Sequence, residues 1–183
     1  VSNSNLALLH RILSDPHTWA PAWPRRTAYR YTVHDVVEEN RLAVAGRHSL
    51  GVLMGSKANA YFSDDGLGCA VGIALPDAVA DAIVEDGFNS IKAKEIWMLQ
   101  PDNQTAIDLI QMTYDTWMLQ QLDGVVPDAQ WWLDLANHYD LTVRGRRLLD
   151  DLPVPRSGFA EMTPDRYMAI LDAIAAWDRS LED

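Results

Sequence analysis

Apolar residues recur at three- and four-residue steps along most of this chain, and proline, glycine or a capping residue interrupts each run, which predicts a series of short helices. After Ser2-Asn-Ser4, residues Leu6, Leu9, Ile12 and Leu13 give one face of a first helix, stopped by Asp15-Pro16. Residues 16–31 hold three prolines and four large aromatics and are expected to run extended with their rings turned inward. Thr32 and Asp35 form a capping pair for a second helix that carries Val33, Val36, Val37, Leu42 and Val44 and ends at Gly46. Apolar stretches either side of Gly55-Ser-Lys-Ala-Asn59 predict a small hairpin near 50–63, followed by the turn residues Asp64-Asp-Gly66.

From Cys69 the small-residue run predicts a helix that breaks at Pro76, with Asp77 capping another through Ala78, Val79, Ala82 and Ile83 to Gly87. The clearest helix follows Pro101, with Ile107, Ile110, Tyr114, Trp117 and Gln121 on its apolar stripe and Asp108, Gln111 and Asp115 on the opposite face. After Val126-Pro-Asp128 a further helix places Trp132, Leu135, Ala136 and Tyr139 on one side. Residues 143–163, with Arg144, Arg146, Arg147, Pro153 and Pro155, read as a polar linker. Thr163-Pro164 then starts a last helix over 164–183 that is expected to bury Tyr167, Ile170, Leu171, Ile174, Trp177 and Leu181. The expected fold is mainly α: a helical core domain over 1–142 with the hairpin, and a C-terminal helix packed back on it.

A length of 183 residues suits one well-buried domain. No apolar run approaches a membrane span, and the N-terminal residues lack the pattern of a signal peptide, so a cytoplasmic protein is expected. The net charge is -11, and it is unevenly spread. Residues 1–60 carry seven basic against four acidic side chains, whereas residues 61–140 carry fourteen acids against Lys92 and Lys94 alone. An acidic middle repels a nucleic-acid backbone, which argues against direct binding of DNA or RNA and suits a basic partner or a protein that normally holds nucleic acid. One cysteine and five scattered histidines offer neither a disulfide nor zinc-ligand spacing, so no metal or other cofactor is expected.

The segment Gly66-x-Gly-Cys-Ala-Val-Gly-x-x-Leu-Pro-Asp77, preceded by a helix and a short hairpin and followed by a long helix and a Trp-bearing one, resembles small uncharacterised proteins of actinobacteria and their bacteriophages. The likeness covers roughly residues 32–142, and its specific part is Cys69–Gly72 with Leu75–Asp77. Several such proteins have His-Asp in the long helix where this chain has Tyr114-Asp115. The resemblance implies a phage or actinobacterial origin and a compact helical fold, and brings no established activity.

Three readings of function follow. The leading one is a non-enzymatic interaction protein that binds and modulates a host protein through surplus aromatics, with Trp19, Trp23 and one of the adjacent pair Trp131 and Trp132 as interface candidates. Adjacent helical positions point about 100° apart, so both rings of that pair do not share one buried stripe easily. The second is a protein that binds or sequesters a nucleotide-like anion, with Arg47, His48, Gly66, Gly68 and Cys69 lining the pocket. The third is a cysteine-dependent enzyme with Cys69 as nucleophile, which requires a base that His34, His48 or His138 would supply; a small buried hydrophobe explains the same cysteine. Asp64, Asp65, Asp77 and Asp81 serve turns and caps as readily as a divalent cation.

Overall fold

A computed structural model describes residues 28–46, 68–87, 99–157 and 160–181. The first predicted helix, most of the extended stretch 16–31 and the hairpin near 50–63 lie outside the described residues. Within them the chain is mainly helical: β1 (Tyr29–Tyr31), α1 (Val33–Val44), α2 (Asp77–Glu85), β2 (Leu99–Pro101), α3 (Gln104–Asp123), α4 (Ala129–His138), α5 (Val143–Asp151) and α6 (Pro164–Arg179). The strands β1 and β2 pair in parallel, Tyr29 opposite Leu99 and Tyr31 opposite Pro101.

Local chemistry explains where the helices begin. Thr32 accepts from the Asp35 N–H while the Asp35 carboxylate accepts from the Thr32 N–H, the reciprocal arrangement that satisfies two otherwise unpaired donors. Asn103 caps α3 by accepting from Ala106 N–H at 3.2 Å, and its amide donates to Asp178 of α6 at 2.6 Å, so one side chain starts one helix and ties it to another. Gly124 ends α3 in the left-handed region at φ 65°, where a side chain would be strained.

The long helix α3 is the centre of the molecule and packs against α5 and α6, while α1 packs against α6 and the segment around Gly72. From Met112 to Met118 every α3 residue is buried, so the helix has no solvent face over those two turns. Thr113 and Thr116 enter the interior by donating to the carbonyls of Leu109 and Met112, each at 2.8 Å. The expected polar face is therefore corrected at Asp115, which is 2% exposed, and the expected apolar stripe is corrected at Gln121, which is exposed at the helix end.

Two further differences have physical causes. The segment after Cys69 makes only a single 3-10 turn, Gly72–Ala74, before Leu75 turns extended; Pro76 occupies the cap position of α2, and the Asp77 side chain does not cap it. The predicted linker contains the helix α5, capped by Thr142, which accepts from Gly145 N–H at 3.1 Å. Gly145 within it is a close-approach residue. A Cβ there would lie 2.7 Å from Thr105 Cγ2 and 2.8 Å from the Leu141 side chain. Arg146 of the same helix donates to the Leu141 and Ala136 carbonyls and to the Asn137 side chain, so the basic cluster closes the C-terminal end of α4. Helix α6 contributes Tyr167, Ile170, Leu171 and Ile174 to the core that also holds the buried faces of α1 and α3, whereas Leu181, expected in that core, lies past the helix end and is exposed.

Candidate functional site

The sequence-singled segment Gly68–Leu75 is seated in the core. Asn40, on the buried stripe of α1, donates to the Ala70 carbonyl at 2.8 Å and to the Val36 carbonyl at 2.7 Å, and accepts from the Tyr167 hydroxyl of α6 at 2.6 Å. One amide thus joins three parts of the chain. Tyr167 stacks at a tilt on Trp117 of α3, with ring centroids 4.6 Å apart.

Cys69 lies within this assembly, 3% exposed, its sulfur accepting from Gly72 N–H at 3.3 Å. Burial pushes the thiol up to about 12, the negative charge of Asp115 adds to the rise, and the Gly72 N–H only partly opposes it. At neutral pH the group is a thiol, the opposite of what a nucleophile requires. The described imidazoles do not help it: His34 is exposed on α1, and His138 is exposed in the last turn of α4, where it stands edge-on to Tyr139. Folded protein at neutral pH is expected to label with a thiol reagent at least about a hundredfold more slowly than unfolded protein, and Cys69→Ala to cost about 1 kcal/mol. A labelling time course in buffer and in denaturant checks this; fast labelling of the folded state would reinstate the nucleophile.

Gly68 is also a packing position, since a Cβ there would come within 2.6 Å of Ile73 Cγ2 and 2.7 Å of the Ile73 nitrogen. Gly68 and Cys69 thus both face protein, which corrects the expected anion pocket at these two positions. Arg47, His48 and Gly66 lie outside the described residues, as do Trp19 and Trp23. The pair Trp131 and Trp132 splits as helix geometry requires. Trp132 is 1% exposed and donates its indole N–H to the Pro155 carbonyl at 2.7 Å; Trp131 is half-buried and donates to Thr116 Oγ1 at 2.9 Å. Trp132 is corrected from interface candidate to core residue, and Trp131 presents one ring edge on α4. Asp77 and Asp81 are exposed on α2, Asp64 and Asp65 lie outside the described residues, and among the described residues no cluster of metal-ligating side chains occurs.

Sequence reading missed the polar group beside Cys69. Asp115 of α3 accepts from the Tyr139 hydroxyl through Oδ2 and from Gln111 Nε2 through Oδ1, the latter at 2.9 Å. Burial raises its carboxyl to about 6 even though both hydrogen bonds favour the ionised form. Burial and the adjacent acid also raise Tyr139 well above its ordinary value, so it is a neutral donor here. The available signal was the run Met112–Met118, in which Asp115 is the one charged side chain among apolar residues and threonines. At the surface, a groove of about 670 Å³ runs beside the two strands, lined by Arg30, Thr32, Gln100 and Asp102 among others. No protein-family model matches this chain, and comparisons with the curated proteins and with the solved structures likewise give no match.

Proposed function

We propose that this chain is a non-enzymatic interaction protein, encoded by a bacteriophage or by its actinobacterial host, that binds a basic or nucleic-acid-associated host protein and modulates it. The observation that carries the reading is the outer face of α2. Asp77, Asp81 and Glu85 are all exposed at four-residue spacing, so they line one side of the helix, and Val84 beside them is 52% exposed. No ion pair to these carboxylates occurs among the described residues. Like charges at this spacing repel by a few tenths of a kcal/mol per pair, a cost that cations on a partner would offset. Asp77 alone gains from the helix N-terminus. An acidic ridge with an aliphatic edge fits a surface that presents Lys and Arg around an apolar strip, and it speeds the encounter with such a surface through long-range attraction.

Affinity capture from an actinobacterial lysate at low salt is expected to recover a partner that releases as ionic strength rises. The triple variant Asp77→Lys, Asp81→Lys, Glu85→Lys should lose it, with binding of the purified partner weakened at least about tenfold. Failure to recover any partner, or recovery of one indifferent both to salt and to the charge reversal, overturns the reading. Among the described residues no helix is long and apolar enough to cross a membrane.

A further inference from the structure

We propose that Asp115, Tyr139 and Gln111 form a protonation latch that holds the C-terminal end of α4 against α3, closed when the aspartate is neutral and loosened when it ionises. The geometry carries the idea. Tyr139 caps α4 and is itself buried, and its hydroxyl reaches Asp115 on α3. Gln111, one turn before Asp115, spends its amide N–H on Oδ1, while its buried Oε1 finds no donor. Both bonds to Asp115 come from donors, so they suit the ionised form, but that form sets a charge in the interior, and a proton on the carboxyl removes it.

Among the described residues no cation compensates that charge. From its own helix Asp115 is faced by Tyr114 and, a turn or two away, by Asp108; from the segment before the 3-10 turn by Cys69; from α6 by Tyr167; and from α4 by Tyr139, behind which stands His138. Arg146 of α5, whose guanidinium lies at this end of α4, donates to the Ala136 and Leu141 carbonyls and to Asn137. Ionised Asp115 is stabilised by two hydrogen bonds and opposed by burial, which is why its carboxyl titrates near 6 and not near its ordinary 3.8. An acid whose value is raised in the closed state stabilises that state at low pH, and the gain fades as pH rises through about 6. Opening lets water reach the carboxylate at the cost of the Tyr139 contact, and it begins at the end of α4 that carries this contact.

Hydrogen exchange on the full chain tests the latch. With the carboxyl at about 6 closed and 3.8 open, the opening constant for the last turn of α4 rises roughly fiftyfold between about pH 4 and about pH 7. After correction for intrinsic exchange, the amides of Ala136–Tyr139 should lose protection by that factor, while those of Ile170–Ile174 in α6 lose much less. Asp115→Asn, which does not ionise, should flatten the response, and His138→Gln should leave it intact. Tyr139→Phe, which keeps the ring and removes the hydroxyl, should expose α4 at every pH. Parallel loss of protection in α4 and α6, a response that survives Asp115→Asn, or one abolished by His138→Gln would each overturn the proposal, and the wild-type comparison decides even where a variant does not fold.

Discussion

Asn40→Ala is expected to destabilise the protein by about 4 kcal/mol in chemical denaturation, far more than an exposed asparagine would. The amide is fully buried, and its removal leaves the Ala70 carbonyl without its donor and the Tyr167 hydroxyl without its acceptor. Each orphaned buried group costs about 1–3 kcal/mol, and the small void adds to that. The Val36 carbonyl suffers less, because a helical carbonyl keeps the backbone N–H four residues on. A double-mutant cycle makes the claim sharper. Tyr167→Phe removes the stranded hydroxyl, so Asn40→Ala made in the Tyr167→Phe background should cost about 1–2 kcal/mol less than in wild type. Strict additivity would show that the two side chains do not share the bond described above.

Trp132→Ala is the other large effect, about 4 kcal/mol, because truncating a buried tryptophan removes apolar contacts on every side and leaves a cavity that the surrounding helices fill only in part. The indole also donates to the Pro155 carbonyl, which joins α4 to the stretch between α5 and α6. Trp132→Phe separates the two contributions, since it keeps most of the ring volume and loses the donor; about 1–2 kcal/mol is expected. Trp131→Ala should cost clearly less, because that ring is half-buried and contributes chiefly its bond to Thr116. Equal costs for the two neighbours, read from denaturation midpoints at unchanged slope, would contradict the placement of Trp132 in the core.

The mainly helical class and several helix boundaries were legible in the sequence because they depend on local chemistry. Thr32 with Asp35, Asp128, and Thr163 with Pro164 mark helix starts through bonds that span three residues, and the structure places helices directly after them. What escaped depends on partners distant in sequence. The Arg-rich segment looks like a polar linker until Thr105 of α3 is seen against its Gly145 and the Arg146 guanidinium is seen on the end of α4. The period of α3 failed for a related reason. A helix packed on more than one side has no polar face for a stripe to reveal, so Asp115 was assigned to solvent although Tyr139 and Gln111 enclose it. Of the residues around Cys69, the cysteine itself was visible as a small apolar position. Asn40 and Tyr139 acquire their roles only once α1, α4 and α6 are brought together.

The Asn40–Tyr167 bond also bears on how the chain matures during synthesis. Its two ends are separated by 127 positions, and α6 is made after every other described element. At about 5–20 residues per second, α1 leaves the site of synthesis roughly 6–25 s before Tyr167 is added. Throughout that interval the faces of α1 and α3 that α6 will cover, Trp117 among them, remain without their native lid. The nascent chain in which α3 is complete and α6 is still missing is therefore the species most exposed to aggregation and most in need of a chaperone.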